Sequence, residues 1–478
     1  TFFNTYQNRT PTLFVGANDG MLHAFNATNG AEVFAYIPSW MGPKLSALTT
    51  DNYITNHQSY VDATPAVGEA ELGTDWKTVL VGGTGAGGQG VYALDVTAPS
   101  AFDASKVLWE FTDRDDVSMG NVIGQPQIRK FRISAPGVSP AVYKWFAVVA
   151  SGVNHYVADG FDANTANPSI FLLDLAKAKG TPWALGTNYY KLSFPINTTL
   201  GRLAPGLANF ETVNNLQGEV RYLYAGDLHG QMWKLDFTRP TVGVADWTVA
   251  NLSSFRNGTT PLPLFVAKDA NGVPQPITNA PFLAGGPRNS TLVVFGTGKY
   301  LESSDNVVTS TTQVQSLYTL YDDGTTANDT ASPAANTGAI SGRGRLMAGS
   351  AGDTGTVTVA TFTYGKASSD TDLRRSGWYI DFPRDGEKQI SAGDTVGRQL
   401  IFGTVVPPSS ATQVCGTGSG NQYTLDILTG KGGYVVSDVG LLGPPIVFDT
   451  GDGIYSASDS TGRRTKTRTS QIVLQGSS

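Results

Sequence analysis

The sequence predicts an all-β chain in which one hairpin unit recurs about seven times. Three observations carry that expectation. Of 478 residues, 56 are Gly and 25 are Pro, too many for long helices, whose interiors lose about 1 and 3 kcal/mol at such residues. Only 15% of residues are charged, against about 25% in ordinary soluble domains. Yet 40% are hydrophobic, with 8 Trp, 19 Tyr and 22 Phe, enough for a large core and too many for disorder. Finally, an apolar strand, a glycine turn and a second strand ending in aromatic-x-apolar-Asp or Asn return along the chain.

The first unit runs Leu13-Phe14-Val15-Gly16, Asn18-Asp19-Gly20, then Leu22-His23-Ala24-Phe25. The second has Val79 to Gly83, glycines from Gly85 to Gly90, then Val91-Tyr92-Ala93-Leu94-Asp95. Phe146 to Gly152 reaches Ile170 to Asp174 across an inserted loop, and Tyr222 to Gly226 turns at Gly230 into Met232 to Asp236. Leu292 to Gly296 leads to Leu317 to Tyr321, Leu400 to Gly403 to Tyr423 to Asp426, and Ile446 to Phe448 turns at Gly451-Asp452-Gly453 into Ile454-Tyr455. Asn-Asp-Gly and Leu-His-Gly supply the positive-φ residues that tight hairpins need.

Most units are spaced by about 66 to 76 residues, longer than the roughly 40–50 of common blade repeats. Long insertions therefore sit between strands. One such unit cannot bury both faces, whereas a radial stack buries nearly all inner strands, so the pattern predicts a seven-bladed β-propeller over 1–478 as a single domain. A large sandwich or a β-helix is the rival. The segment Thr469 to Gln475 reads as a strand that pairs with the N-terminal region and seals the ring. Residues 322–353, rich in Gly, Ala, Thr, Asn and Ser, read as a long mobile loop, and 409–422 as a second insertion holding Cys415. The basic run from Gly462 to Arg468 reads as a solvated linker.

Net charge is -6, so the chain lacks the basic footprint of a nucleic-acid binder. A lone Cys415 excludes an internal disulfide and a thiolate metal cluster. His23, His57, His155 and His229 show no zinc-ligand spacing. No apolar run approaches the roughly 20 residues that span a bilayer. The absence of an initiator Met before Thr1 suggests a fragment or processed product, and the low Lys and Glu content suits a secreted surface.

The run Pro11 to Phe25 resembles the opening blade of the PilC/PilY family of type IV pilus biogenesis and adhesion proteins. Ser46-Ala47-Leu48, Tyr60 to Pro65, Val79 to Asp95, Leu108 to Phe111, Gly124-Gln125-Pro126, Tyr224 to Leu228 and Gly377-Trp378-Tyr379 match in the same order. The resemblance covers essentially the whole chain and implies a modified seven-bladed propeller, the family's C-terminal part, without its variable N-terminal region. It implies secretion, a place at the pilus tip or outer-membrane surface of a Gram-negative bacterium, and partners among pilin, minor pilins and the assembly machinery. The implied roles are opposing pilus retraction and attachment to a surface or host cell.

Members of the family commonly carry an EF-hand-like calcium loop just before the Tyr-x-Tyr-Ala-Gly-Asp strand. Here its four ligand positions hold Val213, Asn215, Gln217 and Arg221, with the turn glycine kept as Gly218. Val offers no oxygen and Arg brings a positive charge, so no metal and no cofactor is expected. Arg221 is read as replacing the cation, holding the loop through backbone carbonyls or through Glu211 or Glu219.

Asp113, Asp115 and Asp116 read as a solvated turn in preference to a metal site, and Asp449, Asp452 and Asp459 as turn chemistry. No Arg-Gly-Asp occurs. The glycine-dense stretch Gly82 to Gly90 lacks the Lys-Ser/Thr of a phosphate loop. Phrases such as Ala93-Leu94-Asp95 and Leu108-Trp109-Glu110 share the flavour of quinoprotein blades, but a shared fold does not transfer chemistry, and adjacent cysteines are impossible. The leading expectation is therefore a non-enzymatic interaction module. The alternatives are a quinoprotein-like periplasmic oxidoreductase, or a pure scaffold whose adhesion lies in the N-terminal region. Exposed loop aromatics are the candidate contact residues, Trp40 among them, although packing under its own loop is the plainer reading. His229 reads as a turn residue.

Overall fold

The structure, a computed structural model, describes residues 2–154, 167–196, 206–329, 337–367, 371–408, 418–437, 440–449, 454–455, 466–467 and 470–473. His155, Cys415, Asp452 and Asp459 lie outside them. The chain, expected as one domain, divides into two compact units, Thr1–His229 with Trp233–Pro263, and Gly230–Met232 with Leu264–Ser478.

In the first unit Thr12–Gly16, Leu22–Asn26 and Glu32–Tyr36 form a three-stranded antiparallel sheet. Ala66–Leu72, Asp75–Gly83, Gly90–Asp95 and Val107–Thr112 form a four-stranded one in sequence order. Gln127–Arg132, Tyr143–Ala150, Ser169–Asp174 and Tyr189–Ser193 repeat that plan. Asn209–Asn214 and Val220–Gly226 open the next sheet. The first six repeated hairpins read from the sequence are thus strands with the expected partners, the fifth and sixth lying in the second unit.

Strand periodicity explains why these sheets stack. Ser169–Asp174 is buried along its whole length, and its side chains alternate between two cores. Phe171 and Leu173 join Val79, Val81, Val91 and Ala93 of the preceding sheet. Ile170 and Leu172 join Leu223, Ala225, Trp233 and Leu235 of the following one. Period-two geometry thus sends the two faces of one strand into two inter-sheet cores. Each fully buried Phe or Leu there contributes about 1.5–3 kcal/mol.

The second unit departs most from expectation. Phe282–Gly285, Thr291–Gly296, Ser316–Asp322 and Gly377–Asp381 make one blade-like sheet, and Asp394–Val396, Gln399–Gly403, Asn421–Asp426 and Gly432–Val436 another. The end of the stretch 322–353, expected as a mobile loop, and the strand that follows it stitch the two together. Met347–Ala351 runs parallel to Gly377–Asp381, and Thr356–Val359 pairs with Gly432–Val436, giving a continuous ten-stranded sheet. Arg343 anchors this segment, stacking 4.2 Å from the Tyr379 ring and pairing with Asp381. Fully buried Asp329 binds Arg345 at 2.7 Å. Residues 330–336 lie outside the described set.

The last hairpin also differs from its expectation. Ile446–Asp449 pairs with Ser470–Val473, and Ile454–Tyr455 with Lys466–Thr467. The two halves of the expected hairpin thus pair with later residues, not with each other. The C-terminal strand, which the sequence places against the N-terminal region, has Ile446–Asp449 as its antiparallel partner. Lys466 and Thr467 of the basic run are strand residues, not linker.

Candidate functional site

Two places in the first unit gather the residues singled out by sequence, the hairpin loop at 213–221 and a cleft beside Trp40. In the loop, a bulge shifts the ladder register between Val213 and Asn214 before its last pair, Asn214 with Val220, and Gly218 takes the left-handed conformation (φ 76°) of the turn. Asn215 organises what lies between. Its Oδ1 accepts from the backbone N–H groups of Gln217 and Glu219, each at 3.0 Å. Its Nδ2 donates to Glu219 Oε2 at 2.9 Å. Lys130, on a neighbouring strand, donates from Nζ to the Gln217 carbonyl at 3.3 Å.

This corrects the expectation for Arg221. Its side chain is exposed and its guanidinium stands 5.8 Å from the Tyr222 ring. The cation that braces the loop is Lys130, and 87 residues of sequence hid it. The donor set does not fit calcium. Val213 has no side-chain oxygen to give, the Asn215 side-chain oxygen already accepts two N–H bonds, and Lys130 brings a positive charge to the Gln217 carbonyl. A hard cation needs six to eight oxygens.

The cleft is formed where Trp40, Met41 and Lys44 face the Gly87-Gly88-Gln89 turn, with Asp113, Arg114, Asn121 and Asn154 completing the wall, and holds about 420 Å³. Trp40 is half-buried, and its Nε1 donates to Thr84 Oγ1 at 3.3 Å. A side chain at Gly88 or Gly90 would start 3.2 or 2.9 Å from the indole. The glycine-dense stretch is thus where the backbone comes close to the indole. Asn121 fixes that turn, donating from Nδ2 to the carbonyls of Gly85 at 2.8 Å and Gly88 at 3.2 Å. Gln89 Nε2 donates to the Asn154 carbonyl at 2.9 Å. Lys44 donates to the carbonyls of Gly87 and Ser59 and lies 5.4 Å from the Tyr60 ring. Burial lowers its pKa below the ordinary lysine value.

The acidic run at the cleft edge is not simply solvated. Asp115 Oδ2 accepts from Thr112 N at 2.9 Å, and burial pushes its carboxyl up. Asp116 is buried and pairs with Lys191 at 2.9 Å. Of the other residues weighed from sequence, His229 is buried in its turn, its N–H donating to Asp227 Oδ1, and His23 sits between Glu32 at 2.6 Å and Asp19 at 2.9 Å. Lys44, Gln89 and Asn121 were not foreseen. The glycine density was their signal, since it marks a close approach of backbone to another group.

Over residues 1–347 the chain matches the family profile described as the PilY1 beta-propeller domain. It is 33% identical over 455 residues to the type IV pilus biogenesis factor PilY1 of Pseudomonas aeruginosa PAO1, covering 90% of this chain and 36% of that protein. A PilY1 homologue from Xylella fastidiosa is 32% identical over 452 residues, covering 90% and 27%. The crystal structure of the P. aeruginosa PilY1 C-terminal domain aligns with a TM-score of 0.63 at 25% identity, covering 98% of this chain and 88% of that one. The chain spans about a third of the length of the curated relatives it matches.

Proposed function

The chain belongs to the PilY1 β-propeller family, and from that premise we propose that it is a non-enzymatic propeller module of a type IV pilus biogenesis factor. It opposes pilus retraction and contributes to attachment at the pilus tip or outer-membrane surface, with pilin, minor pilins and the assembly machinery as partners. The carrying observation is the similarity to PilY1 of P. aeruginosa along 90% of this chain. In-frame deletion of this segment from the full-length protein should remove surface pili, and disabling retraction in the same strain should restore them. Unchanged piliation, or saturable dye-linked alcohol oxidation after adding pyrroloquinoline quinone and calcium, would overturn the reading.

The module works without calcium at the 213–221 loop, a reading supported by the donor set at Val213, Asn215, Gln217 and Arg221. A micromolar site would add about 4 kcal/mol at a thousandfold ligand excess, a rise of roughly 10 °C in a unit of this size. Chelator-stripped protein in 1 mM calcium is expected to melt within about 1 °C of protein in EDTA. A rise of several degrees that Asn215→Ala abolishes sinks this reading.

A further inference from the structure

The cleft beside Trp40 combines features that no part of the biogenesis reading uses. It holds about 420 Å³, toward the small end of ligand pockets, about 300–1,000 Å³. One wall is an aromatic plate. The Trp40 N–H is already bonded to Thr84, so what the indole adds to the cleft is flat apolar surface. Such a surface suits the apolar C–H face of a pyranose ring.

The opposite edge carries amides that are already oriented. Asn121 spends both amide N–H groups on backbone carbonyls, and Gln89 spends one. Their amide oxygens have no hydrogen-bond partner among the described residues and remain as fixed acceptors for hydroxyl protons. Because these side chains are held before a ligand arrives, little rotamer entropy is lost on binding.

Lys44 chooses among sugars. Its ammonium is half-buried and bonded only to neutral carbonyls and to the Tyr60 face, with no carboxylate partner among the described residues. A desolvated cation without a counter-charge favours an anion. Arg114 at the rim adds a second positive charge, against one from Asp113, in a chain whose net charge is -6.

We infer that this cleft is a binding site for an acidic saccharide, with the sugar ring against Trp40, its hydroxyls on Gln89 and Asn121, and its carboxylate toward Lys44. This deepens the attachment part of the proposed function and rests on it for its biological setting. Attachment to a glycan-bearing surface would run through this site.

The probe is trigalacturonate, titrated into the purified chain by calorimetry, with saturation-transfer NMR reporting the sugar protons nearest the indole. Saturable binding is expected, weakened about tenfold or more in Lys44→Met and in Gln89→Leu, with ring C–H signals that vanish in Trp40→Ala. Neutral maltotriose should bind more weakly than trigalacturonate. Because Trp40, Lys44 and Gln89 also hold packing or backbone carbonyls, affinities are compared well below each variant's melting point, and Lys44→Arg, which keeps the charge, is expected to retain binding, so that the test stays independent of folding. No saturable binding, affinity unchanged in Lys44→Met and Gln89→Leu, or equal binding of a triglutamate peptide overturns the proposal. Pilus numbers in cells carrying Lys44→Met separate the two readings. They are expected to match wild type, so a failed saccharide site leaves the biogenesis reading standing.

Discussion

Replacing Glu387 by alanine is expected to destabilise the second unit by about 3 kcal/mol. The Glu387 side chain is 1% exposed, and its Oε1 accepts three bonds. Thr404 Oγ1 lies at 2.6 Å, with Asn421 Nδ2 and Tyr423 OH each at 2.9 Å. Oε2 takes the Arg384 N–H at 3.3 Å. Alanine leaves those buried donors without an acceptor, and each orphaned group costs about 1–3 kcal/mol, partly offset by no longer burying a carboxyl. Glutamine keeps an acceptor but turns an amide N–H donor toward the Arg384 N–H, so it should cost only about 1 kcal/mol.

The pH dependence gives the sharper check. Burial pushes the Glu387 carboxyl above its ordinary value of 4.5. The folded state therefore holds more protons than the unfolded one over a window that opens near 4.5. Stability from this group is complete below that pH and is lost as pH rises through the raised folded value. The alanine penalty, read from urea midpoints, should be larger at pH 4.5 than at pH 8. A penalty under about 1 kcal/mol, or one independent of pH, would show that the network does not hold this unit together.

Nothing in the sequence marks Glu387. It sits in Asp385-Gly386-Glu387-Lys388, which reads as a polar turn, and Thr404, Asn421 and Tyr423, the partners of its Oε1, lie 17, 34 and 36 residues later. What was legible follows from local rules. Alternating apolar residues and glycine turns located the first six hairpins, because register and turn chemistry are written in consecutive residues. The stitch at 347–359 was illegible for the opposite reason. Its small residues resemble a loop, and only pairing with Trp378 and Gly432, far along the chain, makes strands of them. Val357 and Val359 are buried by that pairing.

The candidate site divides in the same way. Trp40 was visible as an aromatic in a Pro-rich turn, and the glycines as a break in ordinary composition. Lys44 and Asn121 acquire their meaning from Gly87 and Gly85, which lie 43 and 36 residues away. Arg221 was misread because charge type was known but direction was not, and Lys130 supplied the missing cation from another strand.

Gly152→Ala is expected to be a severely damaging single-methyl change in the first unit, at about 3 kcal/mol or more. Gly152 holds a φ of 76° where the third sheet's second strand ends. Its N–H donates to the Leu207 carbonyl at 2.8 Å, and the next residue, Val153, exchanges bonds with Asn121. A β-carbon placed on Gly152 would lie 1.9 Å from the Asn121 carbonyl oxygen, so the backbone itself must shift. Gly180 separates the two causes of that cost. It has a similar φ of 80° with nothing within 4 Å of an added β-carbon, so Gly180→Ala should cost only the conformational part, about 1–2 kcal/mol. Chemical denaturation of both variants measures the difference. Displacing Asn121 also moves the amide that fixes the Gly85 and Gly88 carbonyls, so Gly152→Ala should weaken trigalacturonate binding while Gly180→Ala leaves it unchanged. Equal losses of stability in the two variants would mean that left-handed strain alone, and not the close approach to Asn121, makes glycine necessary at position 152.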